Sequence, residues 1–173
     1  MEILKEFQQY LTEFDSPQIY CDMDGVLADF EKAIKDQIGG KFDDGRWQEL
    51  PDDFFLKIEP MSDAKKLWGF IGKYDPFILT AIPRSERGAI SKRAADDKTR
   101  WMKRWFGVSA DKMYPVQRKN KANFAMDGRD HRPNLLIDDH LGNIQEFRKA
   151  RGIGVHHTSA SNTIKQLKEI GYK

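Results

Sequence analysis

Short runs of apolar residues alternate along this chain with longer segments whose apolar residues recur at helical spacing. Each short run covers three or four residues and is bounded by polar or turn-forming residues, which is typical of a buried strand. The runs occupy residues 19–21, 77–79, 113–116, 135–137 and 153–155. Helical spacing occurs at residues 2–14, 26–38, 62–71, 85–106, 143–150 and 161–170. Strands that alternate with helices build βαβ units, so the pattern predicts the α/β class, with a central parallel sheet flanked by helices.

The segment between the first two predicted strands has a different character. Residues 39–75 contain short helical stretches separated by turns, and no strand pattern is evident between residues 26 and 76. The segment is too irregular for a sheet element and too rich in aromatic residues for a disordered linker. We therefore expect a small helical insertion at this point of the chain.

Composition favours one domain in a reducing compartment. The chain has 173 residues, of which 39% are hydrophobic and 32% charged, so it can bury one core and stay soluble. No apolar run is long enough to span a membrane, and the N-terminus lacks the basic-then-apolar order of a signal peptide. The single cysteine, Cys21, excludes an internal disulfide, and no Cys/His cluster has zinc spacing. We expect a cytoplasmic protein without a membrane partner.

Charge is distributed unevenly although the net charge is only +2. Residues 1–60 hold 6 Lys/Arg against 15 Asp/Glu, whereas residues 84–121 hold 12 Lys/Arg against 4 Asp/Glu. Solvated helix faces explain such an asymmetry without any function. An acidic cation site beside a basic rim that attracts anionic substrates explains it equally well.

Polar residues follow three of the predicted strands. Asp22 and Asp24 come after the first strand, Thr80 ends the second, and Asp138 and Asp139 end the fourth. Ligands of open α/β sheets bind beyond the carboxyl ends of the strands, so these side chains could converge on one site. Taken alone, Asp-x-Asp-Gly is also common in surface turns. An EF-hand calcium loop does not fit, because the loop continues directly into an apolar stretch at residues 26–28.

The order of these motifs resembles the haloacid dehalogenase (HAD) superfamily of phosphotransferases. The resemblance spans residues 18–157 and includes strand-Asp22-Met23-Asp24-Gly25, strand-Thr80, a lysine, and strand-Asp138-Asp139. The stretches DMDGVLADFE, PDDFFLKIEPM and LLIDDH are similar to the 5'(3')-deoxyribonucleotidase branch. The resemblance implies a Rossmann-like core of residues 1–30 and 76–173, with residues 31–75 as a small helical cap.

The resemblance also implies a mechanism that needs Mg²⁺. Asp22 would attack phosphorus and form an aspartyl-phosphate, while Asp24 would protonate the leaving oxygen and later activate water. A phosphate dianion repels a carboxylate nucleophile, so a cation has to neutralise charge. Asp22, the Asp24 carbonyl and Asp139 would bind Mg²⁺, and Asp138 would support them.

Other residues are assigned to the phosphoryl group. Thr80 would donate a hydrogen bond to a phosphoryl oxygen, and the small side chain of Ala81 would let its backbone N–H approach the phosphate. A lysine in the interval 118–121 would neutralise the nucleophile and the phosphoryl group. Lys121, at the start of the helical stretch KANFA, is the expected residue, and Lys119 is the alternative.

Substrate residues are expected in and around the insertion. Phe30 and Trp47 would stack on a base. Arg84 would bind a further phosphate or a nucleic-acid end, and a solvated surface position is the alternative. A core role is expected for Phe54 and Phe55. The expected function is a 5'-nucleotidase acting on (deoxy)ribonucleoside monophosphates. Alternatives are a phosphatase for another small phosphometabolite, or for 3'-phosphorylated nucleic-acid ends. A nucleic-acid or protein-binding domain that retains the HAD scaffold is the alternative without catalysis.

Overall fold

The computed structural model describes residues 16–128 and 131–173, so the helix expected at residues 2–14 lies outside the described chain. Within this part, parallel strands form a sheet of order β3-β2-β1-β4-β5. The strands are β1 (Ile19–Cys21), β2 (Phe77–Ala81), β3 (Met113–Val116), β4 (Leu135–Asp138) and β5 (Ile153–His156). They coincide with the five predicted apolar runs. The fold class is confirmed, because helices flank an all-parallel, Rossmann-like sheet.

Helices separate the strands along the chain. The α-helices are α1 (Phe30–Ile38), α2 (Phe54–Lys57), α3 (Ala64–Ile71), α4 (Ala89–Phe106), α5 (Leu141–Lys149) and α6 (Ala160–Ile170). Shorter 3₁₀ helices include Asp44–Glu49, Ser85–Arg87 and Arg118–Phe124. Among the described residues, none of these helices combines the length and apolar character required to cross a membrane.

The central strand β1 shows why the strands are apolar at every position. Ile19 and Cys21 belong to the core on one face of the sheet, which contains the apolar residues of α3, α4 and α6. Tyr20 belongs to the other face, with Ile144 and Phe147 of α5. Successive side chains of a strand point to opposite faces, so a strand covered on both faces requires an unbroken apolar run.

The helix predicted from residue 26 begins four residues later. Val26 and Leu27 are completely buried in a tight turn in which the N–H of Leu27 donates to the Met23 carbonyl at 2.8 Å. Helix α1 starts at Phe30, where Asp29 is the N-cap and accepts from the Lys32 N–H. The prediction was wrong there because residues buried in a compact turn have the same apolar pattern as the first turn of a helix.

The insertion adds no strand to the sheet, as predicted, and its helices α2 and α3 pack on the core. Phe54 and Phe55 of α2 are buried in the core, in accord with the expectation, and Trp101 Nε1 of α4 donates to the Ile58 carbonyl at 2.7 Å. Helix α3 packs on α6, where the Ala160 N–H donates to Asp63 Oδ2 at 2.7 Å. The insertion therefore shares the apolar core of the sheet.

Candidate functional site

Three adjacent strands end at the floor of a wide cleft. Strand β1 lies between β2 and β4, and all three are parallel, so their carboxyl ends share one edge of the sheet. Asp22 follows β1, Thr80 lies in β2 and Asp138 ends β4. The cleft above this edge has a volume of about 1370 Å³, and both Asp22 and Asp24 line it. This is the position at which open α/β sheets bind ligands.

Asp22 has its two carboxylate oxygens fixed by different donors. Oδ1 accepts from the Met23 N–H at 2.8 Å, and Oδ2 lies 3.0 Å from Lys121 Nζ. The Asp22 N–H donates to the Ile137 carbonyl of β4 at 2.8 Å, which ties the start of the loop to the sheet. Only 6% of the Asp22 surface is exposed. Burial and these contacts therefore hold the carboxylate in one orientation at the cleft.

Lys121 is the lysine that the fold brings to Asp22. It lies in the 3₁₀ helix Arg118–Phe124, is 2% exposed, and its Nζ also lies 2.7 Å from Asp138 Oδ2. The alternative, Lys119, two residues earlier in the same 3₁₀ helix, is exposed and also lines the cleft. Asp138 is fully buried, and its two oxygens also accept from the His140 N–H at 2.8 Å and from Asn143 Nδ2 at 2.9 Å. Asp138 therefore holds Lys121 in place.

Asp139 lies against the loop that carries Asp22 and Asp24. Gly25 in this loop has φ +76°, and a Cβ atom built on it would lie 2.1 Å from Asp139 Oδ2. Only glycine therefore allows this loop to approach Asp139. Oxygen atoms of Asp22, Asp138 and Asp139 lie within 4.8 Å of one another. Such a group of carboxylate oxygens can hold a hard cation such as Mg²⁺.

The crowded carboxylates hold protons more firmly than isolated ones do. Burial raises the pKa of Asp22 from 3.8 to about 7, although the Lys121 ammonium opposes the shift. Asp139 faces solvent in part, but loss of hydration at its carboxylate and the nearby charge of Asp138 raise its pKa to about 6. A divalent cation bound among these oxygens would stabilise their charged forms, and the donor set fits one.

Asp24 has a partner that the sequence analysis did not identify. Its Oδ2 accepts from Lys98 Nζ of α4 at 2.6 Å, and Lys98 is completely buried. A signal for this was present, since Lys98 lies on the stripe of α4 that carries Ala94, Trp101 and Met102, all of them buried. A lysine on the apolar stripe of an amphipathic helix indicates a buried partner.

The two residues assigned to the phosphoryl group lie at different depths. Thr80, expected at the phosphoryl group, is completely buried and does not line the cleft, and its Oγ1 accepts from Lys98 Nζ at 3.0 Å. Ala81, the next residue, lines the cleft. The Thr80 hydroxyl retains its own proton to donate, because the bond from Lys98 uses only an acceptor position.

Aromatic side chains cover one wall of the cleft. Phe30 and Trp47 are half-buried, and both line the cleft, with their ring centroids 6.2 Å apart. Phe42 also lines the cleft, and its ring centroid lies 4.9 Å from that of Trp47, edge to face. Trp47 Nε1 donates to Asp44 Oδ1 at 2.9 Å, which fixes the indole. The wall offers apolar surface beside a charged floor.

Arg84 lies at the rim and already has an acidic partner. Arg84 and Arg87 both pair with Asp44 of the 3₁₀ helix Asp44–Glu49. These hydrogen bonds, with that from Trp47, lower the pKa of Asp44 to about 2. Part of the charge asymmetry in the sequence therefore reflects ion pairs between the insertion and the core.

Comparison with known proteins identifies a phage protein of similar sequence. The chain is 31% identical over 137 residues to a protein of Vibrio phage KVP40 named "Putative 5'(3')-deoxyribonucleotidase", and the match covers 75% of this chain and 69% of the relative. The chain belongs to this 5'(3')-deoxyribonucleotidase family. No protein-family model matches the sequence. Membership of the deoxyribonucleotidase family agrees with the branch indicated by the motifs around Asp22 and Asp139.

Proposed function

We propose that the chain is a Mg²⁺-dependent phosphomonoester hydrolase of the HAD superfamily that forms an aspartyl-phosphate on Asp22. The observation that carries this proposal is the setting of Asp22 at the cleft. One of its oxygens is fixed by the Met23 N–H and the other by Lys121, and a second carboxylate, Asp24, lines the same cleft. A fixed carboxylate beside an acid is the pair that nucleophilic phosphoryl transfer requires.

The reaction proceeds in two displacements. A carboxylate oxygen of Asp22 attacks phosphorus, the bond to the ester oxygen breaks, and the proton of Asp24 goes to that oxygen, which leaves as an alcohol. Water then attacks the phosphorus of the aspartyl-phosphate and gives a proton to the Asp24 carboxylate. The bond between phosphorus and Asp22 breaks, which releases inorganic phosphate and restores both carboxyl groups.

The acidic cluster would hold Mg²⁺ through Asp22, Asp139 and the Asp24 carbonyl, with Asp138 in support. The cation supplies positive charge that offsets the repulsion between the phosphate dianion and Asp22. Lys121 adds charge at the same carboxylate, and the Ala81 N–H serves as a donor to a phosphoryl oxygen at the cleft. Thr80 is completely buried beneath this strand end and supports it through its bond with Lys98.

A nucleoside monophosphate fits this cleft as substrate. Its phosphate would lie at the carboxylate floor, and its base would stack on the aromatic wall that Phe30 and Trp47 form. Arg84 at the rim would contact the substrate as a further cation. The name of the phage relative supports a nucleotide as the substrate class.

Residues 31–75 would act as the cap of a core made of residues 1–30 and 76–173. Residues of the insertion between Glu31 and Met61 line the same cleft as the carboxylates. Such a cap selects the leaving group, because it contacts the part of the substrate beyond the phosphate.

The test is a screen for Mg²⁺-dependent phosphate release. The panel contains nucleoside 5'- and 3'-monophosphates, sugar phosphates and oligonucleotides with a 3'-phosphate, and Asp22→Asn is the control. We expect turnover of mononucleotides by the wild type and none by Asp22→Asn. Turnover that survives in a folded Asp22→Asn protein would refute the nucleophile assignment. Preference for sugar phosphates would retain the chemistry and reject the nucleotide.

Phosphorylated nucleic-acid ends are the second candidate. The cleft of about 1370 Å³ exceeds the roughly 300–1,000 Å³ of common small-molecule sites, and the exposed Arg118 and Lys119 line it. If an oligonucleotide is the substrate, its turnover should fall steeply with salt while that of mononucleotides changes little. Oligonucleotide binding without phosphate release from any substrate would instead identify a binding domain.

A further inference from the structure

Lys98 is a charged side chain with no access to solvent. It lies in the middle of α4, its exposure is 0%, and it is not among the residues that line the cleft. Lysine is almost never fully buried unless its ammonium group is paired, because desolvation of an unpaired charge is very unfavourable. Its contacts therefore indicate what this buried charge does.

The ammonium group of Lys98 has its three donors fully engaged. Nζ lies 2.6 Å from Asp24 Oδ2, 3.0 Å from Thr80 Oγ1 and 2.6 Å from the Ala81 carbonyl. An ammonium group has three hydrogens, so none is left to bind a substrate. Lys98 therefore differs from Lys121, which lines the cleft.

Asp24 is bound by Lys98 through one oxygen only. Within the described part of the chain, Oδ1 of Asp24 is a buried oxygen without a hydrogen-bond partner, whereas Oδ2 is held by Lys98. Asp24 itself lines the cleft. One oxygen of the carboxyl group is thus held by Lys98 and the other is enclosed by protein, so the group is fixed in one orientation at the cleft.

We propose that Lys98 is a positioning residue for proton transfer, which anchors Oδ2 of Asp24 and so holds the carboxyl group in the orientation from which it protonates the leaving oxygen of the substrate. The inference rests on the proposed function and concerns its first displacement. By also bonding the Thr80 hydroxyl and the Ala81 carbonyl, Lys98 fixes the acid relative to the strand end that would hold the phosphoryl group. Loss of this anchor lets the carboxyl group of Asp24 rotate away from the leaving oxygen.

The insertion takes part in this anchor. Lys98 Nζ lies 4.5 Å from the centre of the Phe55 ring, and Phe55 is 1% exposed. A cation over an aromatic face is attracted by the ring, and the ring also shields the ammonium group from water. Because Phe55 lies in α2, the position of the acid depends on how the insertion packs on α4.

Leaving groups of different basicity separate this role from a structural one. A nucleoside 5'-monophosphate loses a basic alkoxide that must be protonated, whereas p-nitrophenyl phosphate loses a stable phenolate that needs no proton. The value of kcat/KM covers only the steps up to release of the leaving group. Lys98→Met should lower kcat/KM for the nucleotide by about 100-fold, the size of general acid catalysis, and lower it far less for p-nitrophenyl phosphate.

Three variants complete the experiment. Asp24→Asn should show the same selective loss, and adding Lys98→Met to Asp24→Asn should change kcat/KM for the nucleotide no further, since Lys98 acts through Asp24. Lys103→Met, at an exposed position of the same helix, is the control that should match wild type. If Lys98→Met does not fold, Lys98→Gln, whose amide can still donate hydrogen bonds, should show a smaller loss with the same selectivity.

The outcomes distinguish failure of the proposed function from failure of the positioning role of Lys98. If the wild type releases no phosphate, or Asp22→Asn retains activity, the proposed function fails. If the wild type is active and the Lys98 variant loses kcat/KM equally on both substrates, or adds its full effect to Asp24→Asn, only the positioning role of Lys98 is overturned.

Discussion

Replacing Gly25 by alanine tests the contact between Asp139 and the loop that carries Asp22 and Asp24. The new methyl group would lie 2.1 Å from Oδ2 and 2.5 Å from Cγ of Asp139. An ordinary contact between carbon and oxygen is about 3.3 Å, so loop and carboxylate have to separate by about 1 Å. The substitution therefore acts on the geometry of the proposed cation site.

Two effects of different size are expected. The left-handed conformation at φ +76° costs alanine about 1–2 kcal/mol, which for a chain of this size lowers Tm by about 2–8 °C. A displacement of about 1 Å in a catalytic group lowers the rate by about 100-fold. Gly25→Ala should thus remain folded, show a large loss of kcat/KM and require more Mg²⁺ for half-maximal activity.

Gly107→Ala is the matched control. Gly107 has φ +69° at the end of α4, and a Cβ there would have no atom within 4 Å. It should lose similar stability in thermal denaturation and keep its phosphatase activity and Mg²⁺ requirement. If Gly25→Ala keeps wild-type kcat/KM at low Mg²⁺, or if both variants lose activity equally, Asp139 is not part of a cation site formed against this loop.

Three other predictions concern the remaining charged groups. Lys121→Met should abolish phosphate release and destabilise the fold in urea titration, because Asp22 is then buried without its partner, whereas Lys119→Met should leave stability unchanged. Asp44→Asn should raise KM for nucleotides with little change in kcat, since it releases Arg84 from the 3₁₀ helix that carries Trp47; an unchanged KM would reject this role. The third prediction concerns the protein in EDTA, without bound cation. The pKa of Asp22 is about 7 in the folded chain and 3.8 as the ordinary value, so between these values the folded chain binds a proton that the unfolded chain releases. The free energy of unfolding should therefore increase as pH falls from about 7 to about 4. Urea titrations should show that Asp22→Asn flattens this increase; an unchanged slope would contradict the shift.

The sheet and its polar strand ends were predictable from the sequence. A strand buried on both faces must be apolar at successive positions, and the chain has few such runs, so 19–21, 77–79 and 135–137 could be identified without a structure. The convergence of Asp22 and Asp138 follows, because parallel neighbours end at one edge. The start of α1 was not predictable from periodicity alone, since Val26 and Leu27 are buried by a turn.

The charged residues show where sequence reasoning reaches its limit. Lys98 and Lys121 both lie in a strongly basic region, and a basic residue looks the same in sequence whether it is solvated or buried. Lys121 could be selected by resemblance to a family motif. Lys98 could be found only by noting that the apolar stripe of α4 passes through it, and its three partners come from segments that the fold brings together. Arg84 is a similar case, because its pairing with Asp44 depends on how the insertion packs.

The two buried lysines neutralise different parts of the acidic cluster. Lys98 pairs with Asp24, and Lys121 lies between Asp22 and Asp138. Together with Asp139, the cluster has four carboxylates against two ammonium groups, and full ionisation leaves two negative charges. The pKa values of Asp22 and Asp139 are raised, so the excess negative charge is least favourable at these two carboxylates. Their oxygens and one of Asp138 lie within 4.8 Å of one another. One divalent cation would cancel the excess, and only then could a phosphate dianion approach Asp22 without facing uncompensated negative charge.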